Sequence, residues 1–375
     1  MADRASSRWP RGRRRALRAL AAGLAVVLAA LVPSGSAEAQ GARSSWRGDW
    51  TVVAEALYDS NVFRLSDSQR RQLESGSGSD RFTDMNGPSD LVLELGLSGQ
   101  VRGRGLGSRR VTMGVGLEVD AYASNMRLTH VSLETFATHA LSSRDELTLE
   151  LDWHPGEFRR NYLAGAESSG APTYAAGVAN RAHARLEYDR KLRKGSDHDL
   201  DLELSVEGSR RSLNDFPWRD RTGLTGAAEL QVELSRRIDA VLSFARGRGS
   251  HDGVPEPYMD ATFVRTASLN RDFDETELGA GLTFNLPRRT ELLLGWERRA
   301  RDYAAALGED PVYGDRQDDR DTFEGELRWD RKGPLEVRVG GSFRRQDTQR
   351  PAQGDTADEE DYRQARMFLS LRYSR

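Results

Sequence analysis

The chain contains 375 residues, no cysteine and a formal net charge of −3 at pH 7. The absence of cysteine excludes a disulfide framework and a lipid anchor carried on cysteine. The near-balanced charge disfavours nucleic acid as a partner, because nucleic-acid binding requires a strongly basic face.

The first 39 residues predict a cleaved signal peptide. An apolar stretch at 16–32 follows a basic start, and Ala37-Glu38-Ala39 matches the small-x-small pattern of a cleavage site. The apolar stretch is short for a membrane-spanning helix, which makes an uncleaved anchor the weaker interpretation. We therefore expect residues 1–39 to be removed and residues 40–375 to form the mature domain.

From Trp50 onward, apolar and polar residues alternate with a period of two. The clearest case has leucine at every second position, at Leu91, Leu93, Leu95 and Leu97. This period places apolar side chains on one face of a strand and polar ones on the other. The pattern predicts strands at 50–58, 89–101, 110–122, 130–141, 146–154, 181–190, 199–210, 222–234, 238–245, 276–286, 290–298, 322–329, 335–344 and 362–373.

Many such segments, each about ten residues long, indicate a closed antiparallel up-and-down transmembrane β-barrel in a bacterial outer membrane. Bacterial barrels of this kind have an even number of strands, which favours about fourteen here. Sixteen is the alternative if 262–269 and a partner strand also span the membrane. Short connections alternate with long ones, as periplasmic turns and external loops do. The expected long external loops are 59–88, 155–180, 246–275, 299–321 and 345–361.

The outer surface of this barrel is expected to contact membrane lipid and lipopolysaccharide. Aromatic residues near the ends of the apolar faces are typical of the girdles at the two membrane interfaces. Arg298, Arg299 and Arg301 follow one strand and could pair with lipopolysaccharide phosphates.

The polar faces carry charges of unequal sign around the barrel. The third to eighth strands are mostly acidic, and the last three strands carry most of the arginines. An acidic wall facing a basic wall would create a transverse field that orients charged solutes. The alternative is that these charges pair into ladders that only hold the wall together. The lumen-lining candidates are Glu118, Asp120, Glu150, Asp152, Glu203, Glu229, Arg328, Arg338, Arg366 and Arg372.

No catalytic residue, cofactor or metal site is predicted. The six histidines are scattered, without the spacing of a metal-binding motif, and no Gly-x-Ser-x-Gly segment is present. Asp152 and His154, near the end of one strand, leave an outer-membrane hydrolase as a remote alternative.

One segment resembles a known family. The residues Tyr58-Asp59-Ser60-Asn61-Val62-Phe63-Arg64-Leu65 are similar to a motif near the start of a family of outer-membrane β-barrels associated with exopolysaccharide or capsule gene clusters. The motif residues are Tyr58, Asp59, Asn61, Phe63 and Arg64. Residues 59–61 also fit an Asx turn that ends a strand.

The resemblance implies a porin-like conduit that assists polymer export, with exopolysaccharide and periplasmic export components as partners. Passive passage of solutes is equally compatible with a charged lumen. The alternative of another class is a non-conducting structural or adhesive barrel. Loops 59–88 and 246–275 are the candidates for a plug that folds into the lumen.

Overall fold

The computed structural model describes residues 46–76, 82–83, 85–105, 109–166, 172–193, 199–214, 216, 220–251, 272–304, 315–330, 333–349 and 361–375, with side chains described outside 160–166 and 172–175. The predicted signal peptide lies outside these residues and stays a prediction. None of the helices in the described ranges could span a bilayer.

Fourteen strands account for most of the described residues. They are β1 (Arg47–Asp59), β2 (Asp90–Arg104), β3 (Arg110–Tyr122), β4 (His130–Ala140), β5 (Asp145–Ala166), β6 (Pro172–Arg193), β7 (Leu200–Leu213), β8 (Arg221–Ser235), β9 (Ile238–His251), β10 (Phe273–Leu286), β11 (Thr290–Tyr303), β12 (Gln317–Asp330), β13 (Leu335–Gln349) and β14 (Tyr362–Ser374). All fourteen correspond to predicted strands. The segment 262–269, on which the sixteen-strand alternative depended, lies outside the described residues.

The strands close into a single barrel. Each strand pairs antiparallel with its neighbours in sequence, and β1 pairs with both β2 and β14. The closing pair runs from Thr51 opposite Ser374 to Asp59 opposite Arg366. Closure satisfies the backbone hydrogen bonds of strands that would otherwise be edges, which a membrane requires. The predicted fold class is confirmed.

The segment 155–180 is not the long loop that the sequence predicted. β5 continues to Ala166 and β6 begins at Pro172, so most of this segment extends the barrel wall. The prediction stopped at Pro155-Gly156 because that dipeptide is a strong turn signal. Instead, the register shifts between His154 and Glu157, and Gly156 adopts a φ of +65°. The turn-forming residues therefore make a β-bulge inside a continuing strand.

Three other strands also extend into segments that were predicted as loops. β9 continues to His251, β11 to Tyr303 and β13 to Gln349. The central parts of loops 246–275, 299–321 and 345–361 lie outside the described residues. The strands thus extend beyond the stretches in which apolar residues alternate.

The segment 59–88 contains a short helix, α1 (Asp67–Ser75). Ser66 caps this helix, because its side chain accepts a hydrogen bond from the Gln69 amide while the Gln69 side chain accepts one from the Ser66 amide. Next to the helix lies a small apolar cluster that joins this segment to the wall: Phe63, Leu65, Phe82, Met85, Leu128 and Phe158. Since Phe63 also lines the cavity inside the barrel, the start of the segment, around Phe63, lies in the mouth of the barrel.

Candidate functional site

The barrel encloses a cavity of about 640 Å³ near the ends of the strands that face the long loops. This outer cavity is bounded by the 59–65 segment on one side and by strands β5–β8 and β11–β12 on the other. Ten arginines and five carboxylate residues are among its described lining residues. The outer cavity is therefore strongly cationic.

A second cavity, of about 500 Å³, lies deeper along the barrel. It shares Leu57, Glu94 and Arg366 with the outer cavity, so the two cavities adjoin. Its described lining contains four glutamates and a single arginine, Arg366. The sign of the wall charge consequently changes from positive to negative along the barrel axis.

The predicted acidic residues lie on the lumenal faces of their strands. Asp120 stands opposite Glu94 and lines the outer cavity, and Glu118 follows it one step deeper. On the facing strands, Glu203 stands opposite Glu229, while Glu150 and Asp152 stand opposite Arg185 and His183. These carboxylates form a largely acidic surface below the outer cavity.

The predicted basic residues lie on β12–β14 but are not a basic wall. Arg328 places Nη2 3.1 Å from Glu326 Oε1 and Nη1 3.4 Å from Glu291 Oε2. Arg338 pairs with Glu336, and Arg366 pairs with Asp59 across the closing pair of strands. Arg372 stands opposite Glu336 and Val53. Carboxylates of the same wall therefore balance three of these four arginines, as the ladder alternative anticipated.

The transverse field expected from the sequence is accordingly replaced by an axial separation of charge. The arginines of the outer cavity come from the outer ends of many strands: Arg159, Arg181, Arg211, Arg221, Arg299, Arg301 and Arg320. Arg181 is the first residue of a predicted strand but was not named as lining the lumen. The other six were missed because the predicted strands ended where the apolar alternation stops. Beyond that level lipid no longer selects apolar side chains, while the period of two still decides which side chains face inward.

This period corrects the assignment of the arginines near the end of β11. Arg299 stands opposite Glu277, and Arg301 stands opposite Glu275. Both arginines face the lumen and line the outer cavity. Arg298 stands opposite the exposed Leu278 and so faces outward. Of the three arginines expected to meet lipopolysaccharide, Arg298 alone has the required orientation.

The motif segment turns at the outer mouth. The Asn61 amide donates to Asp59 Oδ1 at 2.8 Å, which is the Asx turn considered from the sequence. The Asn61 side chain then accepts from the Leu65 amide at 2.8 Å and donates to the Leu65 carbonyl at 2.7 Å. Tyr58 faces outward, and Phe63 is buried in the apolar cluster. These bonds hold the segment in one conformation across the mouth.

Arg64 projects into the outer cavity from this segment. Its backbone has a φ of +54°, which is uncommon for a residue with a Cβ atom. Enclosure by protein and the neighbouring guanidinium groups of Arg344, Arg159 and Arg366 lower the pKa of Arg64 to about 10. Arg64 is exposed to solvent in the cavity and remains cationic at neutral pH. It therefore adds to the positive charge of the mouth.

Three histidines that are distant in sequence lie side by side on β4–β6. The ring centroids of His130 and His154 are 6.4 Å apart, as are those of His154 and His183. His130 pairs with Asp120 at 3.1 Å, and His183 pairs with Glu207 at 3.0 Å. Residue spacing along the chain did not predict this row. Register across adjacent strands could have found it.

Deeper in the lumen, Glu187, Asp189 and Glu203 bring carboxylate oxygens within 4.8 Å of one another. Arg185 pairs with Glu203 and places Nη2 2.8 Å from Glu187 Oε2. A guanidinium group thus supplies positive charge to this acidic cluster.

The outward faces settle the environment of the barrel. Large apolar side chains are exposed there on strand after strand, including Leu95, Leu151, Leu242, Leu282 and Leu369. Aromatic rings lie near the ends of this apolar band, and the Trp50 and Tyr373 rings are in contact at a centroid distance of 5.4 Å. A closed barrel with an apolar exterior and a charged interior belongs in an outer membrane. The chain forms a closed outer-membrane β-barrel of fourteen strands.

No protein-family model matches the chain, and no curated protein matches it. Among solved structures, it is similar to an anion-selective porin from Comamonas acidovorans, with 12% identity, a TM-score of 0.41, and coverage of 89% of this chain and 100% of the porin. A bacterial polysaccharide outer membrane secretin is 9% identical, with a TM-score of 0.47 and coverage of 87% of this chain and 97% of the secretin. The outer membrane protein OprD from Pseudomonas aeruginosa is 11% identical, with a TM-score of 0.42 and coverage of 90% of this chain and 95% of OprD.

Proposed function

We propose that the protein is a hydrated, porin-like channel through which hydrophilic solutes cross the outer membrane. The observation that carries the proposal is the pair of adjoining cavities inside a closed barrel, lined by charged side chains. Such a lining keeps water in the lumen, because desolvating this many charges is costly. Carboxylates and guanidinium groups act on passing ions through their field and require no catalytic step.

For the cargo, we propose exopolysaccharide. The motif at 58–65 is the sequence feature that favours it, and the hydrogen bonds of Asp59 and Asn61 give this motif a structural role at the mouth. A wall of charged groups with many donors and acceptors suits a hydrated sugar chain. In this proposal, periplasmic export components deliver the polymer to the inner end of the barrel.

Deletion of the gene and assay of surface polysaccharide test the cargo. We expect less polymer at the surface and accumulation in the periplasm, with restoration by the intact gene. Unchanged surface polymer would contradict exopolysaccharide export and leave passive solute passage as the function.

A second candidate is a non-conducting structural or adhesive barrel. The observation that favours it is the packing of Phe63 and Leu65 against Leu128 and Phe158, which holds the 59–65 segment inside the mouth. Conductance measurements in planar bilayers separate the two candidates. The hydrolase alternative gains no such support, since Asp152 and His154 face different cross-strand partners, His183 and Arg181.

A further inference from the structure

Three arginines stand in a row across adjacent strands of the outer cavity. Arg181 on β6 stands directly opposite Arg211 on β7, and Arg211 stands directly opposite Arg221 on β8. We call these three residues the arginine row. Like charges at directly opposed positions of a sheet destabilise it. The row is therefore unfavourable for the wall itself and requires another explanation.

The two ends of the row, Arg181 and Arg221, have different partners among the described residues. Glu157 forms an ion pair with Arg181, with Oε2 2.7 Å from Nε, and the same carboxylate also pairs with Arg159 at 2.6 Å. At the far end of the row, the guanidinium carbon of Arg221 lies 4.3 Å from the centroid of the Phe273 ring. The described lining of the cavity as a whole has twice as many arginines as carboxylates. Among the described residues, positive charge is thus in excess in the outer cavity.

The side chains of the row are also held in position. Arg301 covers the same Phe273 ring, with its guanidinium carbon 4.0 Å from the centroid, and Glu275 binds Arg301. A Cβ atom on Gly249 would lie 2.3 Å from Phe273 Cζ, so the glycine leaves the room that this ring occupies. Cation–π contacts with a fixed ring limit the freedom of Arg221. Fixed guanidinium groups bind an oxyanion with a smaller loss of entropy.

We propose that the arginine row binds the carboxylates of an acidic sugar chain as it passes the outer mouth. This inference rests on the proposed channel function and names its class of cargo. Guanidinium groups bind carboxylates through two parallel hydrogen bonds. Adjacent strands lie about 4.8 Å apart, so the three groups form a line of charges. A line of cations suits a chain of repeated carboxylates better than a single anion, because several weak contacts act together.

Calorimetric titration of the folded, detergent-solubilised barrel tests this proposal directly. The probes are trigalacturonate, which carries three carboxylates, uncharged maltotriose of the same length, and inorganic sulfate. We expect trigalacturonate to bind at least about tenfold more tightly than either maltotriose or sulfate. Its affinity should fall as the salt concentration is raised.

The decisive variant is Arg211→Gln combined with Arg221→Gln. It should weaken trigalacturonate binding by about tenfold or more, since two charge-assisted contacts are lost. The matched control is Arg298→Gln combined with Arg345→Gln, two arginines at the same end of the barrel whose positions face outward. This control should bind trigalacturonate like the unmodified protein. Heat-modifiable mobility in gels confirms that each variant is folded.

Three results would overturn the proposal: equal binding of maltotriose, equal binding of sulfate, or undiminished trigalacturonate binding in the Arg211/Arg221 variant. Binding does not require conduction, so a barrel that binds trigalacturonate but passes no current would refute the channel function alone. A barrel that conducts without binding trigalacturonate would refute the arginine site alone.

Discussion

Asp59 at the end of β1 accepts a hydrogen bond from Arg366 of β14, with Oδ2 2.9 Å from the guanidinium Nε. The same oxygen accepts from Gln364 Nε2 at 2.7 Å, and the other oxygen accepts from the Asn61 amide at 2.8 Å. One buried carboxylate therefore links the first strand, the last strand and the motif turn. The place where the barrel closes is also the place where its mouth is shaped.

Replacement of this carboxylate should weaken closure of the barrel. Asp59→Ala leaves three donors without their acceptor, and we expect a loss of about 2 to 3 kcal/mol in the free energy of unfolding. Urea denaturation in detergent, followed by tryptophan fluorescence, measures it. Asp49→Ala is the control on the same strand, because the exposed Asp49–Arg102 pair at 3.9 Å should contribute less than about 1 kcal/mol. Equal losses in the two variants would contradict this role of Asp59.

Asn61 should control how far the motif segment blocks the mouth. Asn61→Ala removes the side-chain bonds to Leu65 and the bond from Nδ2 to the Arg363 carbonyl at 3.1 Å. We expect larger and noisier single-channel currents, since the segment is then free to leave the lumen. Asn285→Ala makes the same substitution at the inner end, where Nδ2 lies 3.2 Å from Asp239 Oδ2. Its currents should match those of the unmodified protein. Identical currents in both variants would show that the segment does not obstruct the path.

The outward face of β2 offers a test of the membrane boundaries. Leu95 lies within the apolar band and Leu91 at its outer end, next to the outward-facing Tyr58. Leu95→Arg should cost about 2 to 4 kcal/mol in lipid, and Leu91→Arg about 0 to 1 kcal/mol, because the penalty depends on depth. Unfolding in lipid vesicles measures both. Equal costs would place the band at a different height.

Close packing around Gly340 should make its replacement by a larger residue destabilising. A Cβ atom on Gly340 would lie 2.6 Å from the Gly325 carbonyl oxygen and 2.8 Å from the Phe368 ring. Because a backbone atom cannot move aside easily, Gly340→Ala should destabilise the barrel by about 1 to 3 kcal/mol. Gly116→Ala is the control on the lumenal face, where the nearest atoms lie at an ordinary 3.8 Å. A stable Gly340→Ala protein would mean that the wall can adapt at this point.

The sequence predicted the fold far better than the site, for a physical reason. Lipid imposes an apolar residue at every second position, so Leu91 to Leu97 reveal both the strand and its orientation. Above the membrane this constraint ends, and Arg299, Arg301 and Arg320 were assigned to a loop although their strands continue. Contacts across strands, such as Arg211 opposite Arg221 or His130 beside His154, depend on register and strand neighbours, which local patterns do not encode.

Single-channel recording in planar bilayers tests the central claim, that a continuous hydrated lumen runs through this barrel. We predict stepwise currents from the folded protein, with larger steps for Asn61→Ala. Absence of steps from both proteins, when heat-modifiable gel mobility shows that both are folded and inserted, would contradict the claim.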